Sequence, residues 1–173
     1  MMLLVGAVLG VPAFAAPAKY LEYVQSKSDL YVDIDYVPKC DTIIECEVAF
    51  DKVDQNHTIF CSRDSGTSYY TLFYINNKSS DNFRFDYYNS QSRKADITDE
   101  AVDTRYFLRT SNAGLELFGT LSEKIDKPAT FTPQGEMILF DSYPVGTKYE
   151  ATGNYARMKM YSFRIFDMYP FVC

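Results

Sequence analysis

The sequence of 173 residues has no tryptophan, a single histidine and only four cysteines. It contains no Gly-x-Ser-x-Gly nucleophile elbow, no glycine-rich phosphate loop and no EF-hand spacing, which removes the usual sequence grounds for an α/β-hydrolase, a nucleotide-binding loop or a helix–loop–helix calcium site. No cluster of Lys and Arg occurs beyond Arg93-Lys94, and the formal net charge is −6 with a pI near 4.8. An acidic surface without a basic patch repels polyanions, so nucleic acid is excluded as a partner and an anionic membrane surface is a poor one. Helical periodicity is also scarce. The one stretch with helical character, Asp96 to Asp103 with Thr98-Asp99-Glu100 as a cap, is too short to shape the fold.

What is present is aromatic. Fifteen Tyr and thirteen Phe make a 16% aromatic share, and these residues favour half-buried pleated surfaces. Apolar residues alternate with polar ones in segment after segment. Thr42 to Phe50 is the clearest strand, with Ile44, Cys46, Val48 and Phe50 on one face and Glu45 and Glu47 on the other. Strands are also expected at Tyr20 to Val24, Tyr31 to Asp35, Thr58 to Ser62, Tyr69 to Ile75, Asn82 to Tyr88, Arg105 to Thr110, Leu115 to Phe118, Glu136 to Phe140 and Met158 to Phe166. The Asn/Ser-rich stretch 76–81 predicts one hairpin, and Ser111-Asn112-Ala113-Gly114 predicts another in which glycine supplies a positive φ. About ten short strands at this spacing predict an all-β protein, a two-sheet antiparallel β-sandwich or a barrel.

Residues 1–15 read as a signal peptide. Leu3 to Val11 is apolar, Pro12 breaks the run, and Ala13-Phe14-Ala15 is a small-x-small cleavage pattern. The run is far short of the roughly 20 residues that span a bilayer, so no membrane insertion is expected after cleavage. No basic residue precedes it, which points to a start upstream of Met1. Residues 16–173 read as one domain, secreted or at the cell surface. In an exported protein Cys40, Cys46, Cys61 and Cys173 are candidates for disulfides, with three connectivities open, although Cys46 also fits as a small core residue. Their spacing matches no zinc site, and His57 reads as an exposed turn residue. No cofactor is expected; calcium stays open, since scattered loop carboxylates leave no signature. The acceptor-like triplets Asn56-His57-Thr58 and Asn77-Lys78-Ser79 read as ordinary turns.

The order of segments resembles a family, the concanavalin A-like, laminin-G-like jelly rolls of secreted proteins from host-associated bacteria. Tyr20-Leu21-Glu22-Tyr23 with Tyr31-Val32-Asp33-Ile34-Asp35-Tyr36 is similar to its opening segment. The strands at Thr42 to Val48, Asn82 to Tyr87, Met137 to Phe140 and Met160 to Asp167 follow in the family's order. The family usually continues past its last strand, whereas this sequence stops at Pro170-Phe171-Val172-Cys173; it is either a short form or a piece with its final strand missing. The resemblance implies a jelly-roll sandwich of the lectin/glucanase kind, with a curved sheet on whose concave side relatives place sugar.

The hydrolases of this fold carry Glu-x-Asp-x-x-Glu on one strand. That motif is missing, and Glu45-x-Glu47 lacks a third carboxylate at the right offset, so the expectation is that the chain is not an enzyme. The expected role is lectin-like recognition of carbohydrate. A structural or adhesive domain contacting a cell-surface protein is the second reading, and a glycan hydrolase the third. If Phe83 and Phe85 share the core face with Phe73 and Ile75, then Tyr70, Tyr74, Arg84, Asp86 and Tyr88 form one outward patch, and this is the expected ligand site. The oligomeric state is not legible.

Overall fold

The computed structural model describes residues 23–27, 31–63, 69–76, 81–87, 91–97, 102–125, 135–141 and 156–167. The expected leader at 1–15 and Cys173 lie outside these residues. Twelve strands follow in order: β1 Val24–Ser26, β2 Val32–Asp33, β3 Thr42–Phe50, β4 His57–Arg63, β5 Tyr69–Ile75, β6 Asn82–Tyr87, β7 Gln91–Asp96, β8 Tyr106–Ser111, β9 Gly114–Leu117, β10 Thr120–Lys124, β11 Ile138–Leu139 and β12 Met158–Asp167. No helix among the described residues is long and apolar enough to cross a membrane. The strands form two six-stranded sheets, ordered β1-β12-β3-β8-β9-β10 (sheet A) and β2-β11-β4-β5-β6-β7 (sheet B). Every pairing is antiparallel. The edge strand β7 lies against β9 and β10, bringing the two sheets together along one side.

The alternation in β3 does what its sequence predicts. Ile44, Cys46, Val48 and Phe50 are buried in the core, while Glu45 and Glu47 stay half-exposed on the outer face. Nine residues with a clean period of two can pair on both sides, and β3 takes β12 and β8 as neighbours. Its inner row meets the inner rows of β5 and β6, where Tyr70, Leu72, Tyr74, Phe83, Phe85 and Tyr87 are all fully buried. Phe50 lies 4.8 Å from Tyr74 across the sandwich, and Phe83 meets Tyr106 edge-on at 5.2 Å. Edge-to-face rings fill the space that tryptophan would take in many sandwiches.

Two strands escape the sequence pattern. β7, Gln-Ser-Arg-Lys-Ala-Asp, and β10, Thr-Leu-Ser-Glu-Lys, are polar edge strands in which charge discourages pairing with a further strand. The stretch expected to show helical character begins instead with Asp96 closing β7; residues 98–101 lie outside the described ones. The β8–β9 hairpin turns as expected, with Gly114 at φ +139°. The 36–42 segment is pinned to the end of β12. Tyr36 donates its hydroxyl to Asp167, and Thr42 Oγ1 donates to the same carboxylate at 3.1 Å. Burial, and next this hydrogen bond, push the Tyr36 phenol well above its ordinary range.

The cysteines separate into two kinds. Cys40 is disulfide-bonded, whereas Cys46 and Cys61 are buried thiols outside any disulfide. Of the pairings left open by the sequence, those joining Cys46 or Cys61 are thereby corrected: both thiols sit on central strands, 1% exposed and packed among apolar neighbours. Burial pushes the Cys46 thiol up to about 12. Since the thiolate is the reactive form, Cys46 and Cys61 are expected to resist a thiol reagent at pH 8 in the native protein and to be labelled at once in denaturant. Mass spectrometry of labelled peptides checks this, and native labelling of Cys46 would contradict the packing of β3.

Candidate functional site

The β5–β6 hairpin decides where the expected site residues go. Ile75 lies opposite Asn82, Tyr74 opposite Phe83, Phe73 opposite Arg84, Leu72 opposite Phe85 and Thr71 opposite Asp86. Residues directly opposite share a face, so the even-numbered residues of β5 face the same way as the odd-numbered residues of β6. The expected patch assumed the other parity. Because the period is two, that one-residue difference carries every β5 side chain to the opposite face.

Tyr70 and Tyr74 are therefore core residues and not ligand contacts, each 0% exposed. Their hydroxyls are occupied inside: Tyr70 donates to the Thr42 carbonyl at 2.6 Å, and Tyr74 donates to the buried Asp81 carboxylate. Arg84 and Asp86 do face outward, as expected, but their β5 companions are Phe73 and Thr71. Tyr88 lies outside the described residues.

The outer face of sheet B carries a compact group. Arg84 Nη2 donates to Asp86 Oδ2 at 3.0 Å, and the guanidinium lies 5.1 Å from the centroid of the Phe73 ring. Lys94 stands opposite Arg84 on β7 and is exposed. Thr58, on the far side of Phe73, is buried. The Arg84 and Asp86 side chains are 35% and 14% exposed, so solvent reaches the guanidinium more freely than the carboxylate that holds it. Toward β4 and β11 the face closes, with Thr71, Cys61 and Ile138 all about 1% exposed, and Thr71 Oγ1 donates to Cys61 Sγ at 3.4 Å. The accessible part of this face is thus its β5–β6–β7 end.

Sheet A presents a different outer surface. Arg109 bridges Glu45 at 3.6 Å and Glu116 at 2.7 Å, and Arg105 meets Glu47 at 3.2 Å. Arg105 also lies 3.6 Å over the Tyr161 ring, which packs edge-on against Tyr23. Glu45 and Glu47, read from the sequence as solvated charges, are half-exposed members of this cross-strand lattice. Glu116 brings the third carboxylate from β9, a strand that no offset within β3 reveals. Each of these carboxylates faces a cation, and the Tyr161 ring face is capped, so the surface is internally matched. Among the described residues no group of three His, Cys, Asp or Glu side chains converges to hold a metal.

His57 corrects another expectation. It is not an exposed turn residue but the buried first residue of β4, stacked 5.0 Å from Phe50. Its ring nitrogens meet the Lys52 carbonyl, five residues back, and the Arg157 N–H, a hundred residues on, and neither backbone partner leaves a mark in the sequence.

No protein-family model matches the chain, and no curated protein matches it in sequence. Solved structures do match in shape. A native heptameric SAP-like pentraxin from Limulus polyphemus superposes with a TM-score of 0.62 at 7% identity, over 83% of this chain and 74% of that one. This is the concanavalin A-like jelly-roll fold. A β-1,3-glucanase from Mycobacterium marinum aligns at a TM-score of 0.44 and 9% identity, over 79% of this chain and 67% of that one. Trypanosoma rangeli sialidase in complex with sialic acid aligns at 0.47 and 9%, over 73% of this chain but only 20% of that one. These likenesses are of fold alone. They nonetheless correct the expectation that the chain is not an enzyme. Sialidase and β-1,3-glucanase stand among the matching structures at low identity, and the fold is shared with proteins that are not enzymes, so the fold does not decide whether the chain is one.

Proposed function

We propose that the chain is an exported carbohydrate-recognition domain that engages its ligand at the Phe73–Arg84–Asp86 end of sheet B. One observation carries this reading. An aromatic ring, a guanidinium and a carboxylate lie side by side on an accessible sheet face, with Arg84 5.1 Å from the Phe73 centroid and 3.0 Å from Asp86. Sugars present C–H faces that pack on rings, and hydroxyl groups that both donate and accept. Arg84 has five N–H donors, only some of which Asp86 can take, and the rest can donate to sugar hydroxyls. The carboxylate also fixes the guanidinium plane, lowering the ordering cost on binding. The jelly-roll resemblance, whose relatives place sugar on a sheet face, supports the same chemistry. Export rests on the apolar run Leu3 to Val11 and on Ala13-Phe14-Ala15.

A glycan array probed with the wild-type protein, then with Phe73→Ala and Arg84→Ala, tests the site. Each variant is expected to weaken the strongest signals by tenfold or more, about 1.4 kcal/mol. Tyr70→Phe serves as the core control: it should leave binding intact while lowering stability by about 1 kcal/mol through the lost hydrogen bond to Thr42. Undiminished binding by Phe73→Ala and Arg84→Ala would remove the patch. A blank wild-type array would favour contact with a protein instead, for which Phe107 and Phe166, 36% and 44% exposed on sheet A, are the evident surface. Export is checked by N-terminal sequencing of the secreted product, expected to begin at Ala16; a retained leader would contradict it.

A further inference from the structure

One row of side chains crosses the outer face of sheet B through Phe73: Thr58 on β4, Phe73 on β5 and Arg84 on β6. Thr58 is fully buried, and its Oγ1 has no hydrogen-bond partner among the described residues. A hydroxyl in that condition costs stability, because it has given up water and gained no bond in return. Across the ring, Arg84 has similar unmet capacity. Its Nη2 is taken by Asp86, whereas its Nε is buried and without a partner among the described residues. Phe73 is thus flanked by two groups with unused bonding capacity, which the strand spacing sets about 10 Å apart at the backbone. The backbone of β4 is shaped to put Thr58 there. In a regular strand Thr58 and Phe60 would share a face. A bulge between them places Thr58 opposite Phe73 and Phe60 opposite Leu72, so Phe60 turns into the core and Thr58 stays outside it.

We infer that Thr58 sets the specificity of the sheet B site: its hydroxyl bonds one uncharged hydroxyl of a sugar ring stacked on Phe73, while Arg84 serves the opposite edge of that ring. The inference rests on the carbohydrate reading of this site and adds the residue that selects among sugars. Thr58 lies where the open part of the face meets the closed part formed by Thr71, Cys61 and Ile138. A charge held on that side would lose its hydration without a counter-ion, so the group received there is a hydroxyl and not a sulfate or carboxylate. Anionic substituents are directed to the Arg84 side. Phe73 is half-buried and outside the core, so its ring can rock to admit a hydroxyl at the Thr58 edge while remaining the stacking platform. Threonine Oγ1 both donates and accepts, as a sugar hydroxyl does, so the two groups match. A buried polar group that only the ligand satisfies makes the site reject an analogue lacking the matching hydroxyl.

The sugar bound most strongly by the wild-type protein, its monodeoxy analogues, and the Thr58→Val and Thr58→Ser variants test this by titration calorimetry. Wild type is expected to bind one monodeoxy analogue about tenfold or more weaker than the parent sugar. Thr58→Val should bind parent and analogue alike, both at that weaker level, and Thr58→Ser should restore the preference. A purely structural threonine would show itself in stability. Because the ligand-free protein leaves this hydroxyl unpaired, the thermal midpoint of Thr58→Val should equal or exceed that of wild type. A Val variant that keeps the wild-type preference, or one that melts lower than wild type, would overturn the inference. If Phe73→Ala and Arg84→Ala weaken binding while Thr58→Val does not, the site stands and the role of Thr58 falls. Undiminished binding by Phe73→Ala and Arg84→Ala removes both.

Discussion

Two tyrosine hydroxyls cross the interior from sheet B, a third is held at the end of its own hairpin, and together they fix which way the central strands face. Tyr70 reaches the Thr42 carbonyl at 2.6 Å, Tyr87 reaches the Cys40 carbonyl at 3.0 Å, and Tyr74 ends on Asp81. A buried phenol left without an acceptor costs about 1–3 kcal/mol, so these rings are placed by both their surface and their oxygen. Two of the acceptors are backbone groups at the turn that leads into β3. The inner rows of β5 and β6 are therefore tied to the central strand of sheet A. Once those rows point inward, Thr71, Phe73, Arg84 and Asp86 have only the outer face to occupy.

The two outer faces divide the polar chemistry between them. On sheet A, cations and carboxylates alternate across β3, β8 and β9 and satisfy one another, with Arg105 spread over Tyr161. Such exposed pairs contribute little stability individually, but they leave few groups with unused bonding capacity. On sheet B the face is closed toward β4 and β11 and accessible toward β7. There a single carboxylate holds a guanidinium beside an aromatic ring. That contrast, more than the overall fold, is why the candidate site is placed on sheet B. The fold alone, shared with a pentraxin, does not fix an activity.

Much of this was legible in the residues. The alternation of β3 gives its core face correctly, and the order of segments matches the jelly roll. The β5–β6 hairpin shows where legibility stops. Tyr, Phe and Ile are acceptable on either face of a strand, and a connection spanning residues 76–81 does not by itself set register, so the pattern allowed both parities. Only the hydroxyl acceptors on distant backbone separate them. The strands β7 and β10 were hidden for the opposite reason: edge strands gain from charge, and charge erases the apolar signal. His57 was misread because its burial depends on Arg157, a hundred residues away. Glu116 joins Glu45 through Arg109 only because β8 lies between β3 and β9.

The register of β5 on β6 underlies both the correction of the sequence reading and the proposed site. Nuclear Overhauser contacts between aromatic rings report it directly. Cross-peaks are predicted between Tyr70 and Phe85, whose rings are 5.0 Å apart, and between Tyr74 and Phe83, at 6.0 Å. Phe73 should instead show contacts to the Arg84 side chain. Cross-peaks joining Phe73 to Phe83, with Tyr74 beside Arg84, would reverse the faces of the hairpin and contradict the account.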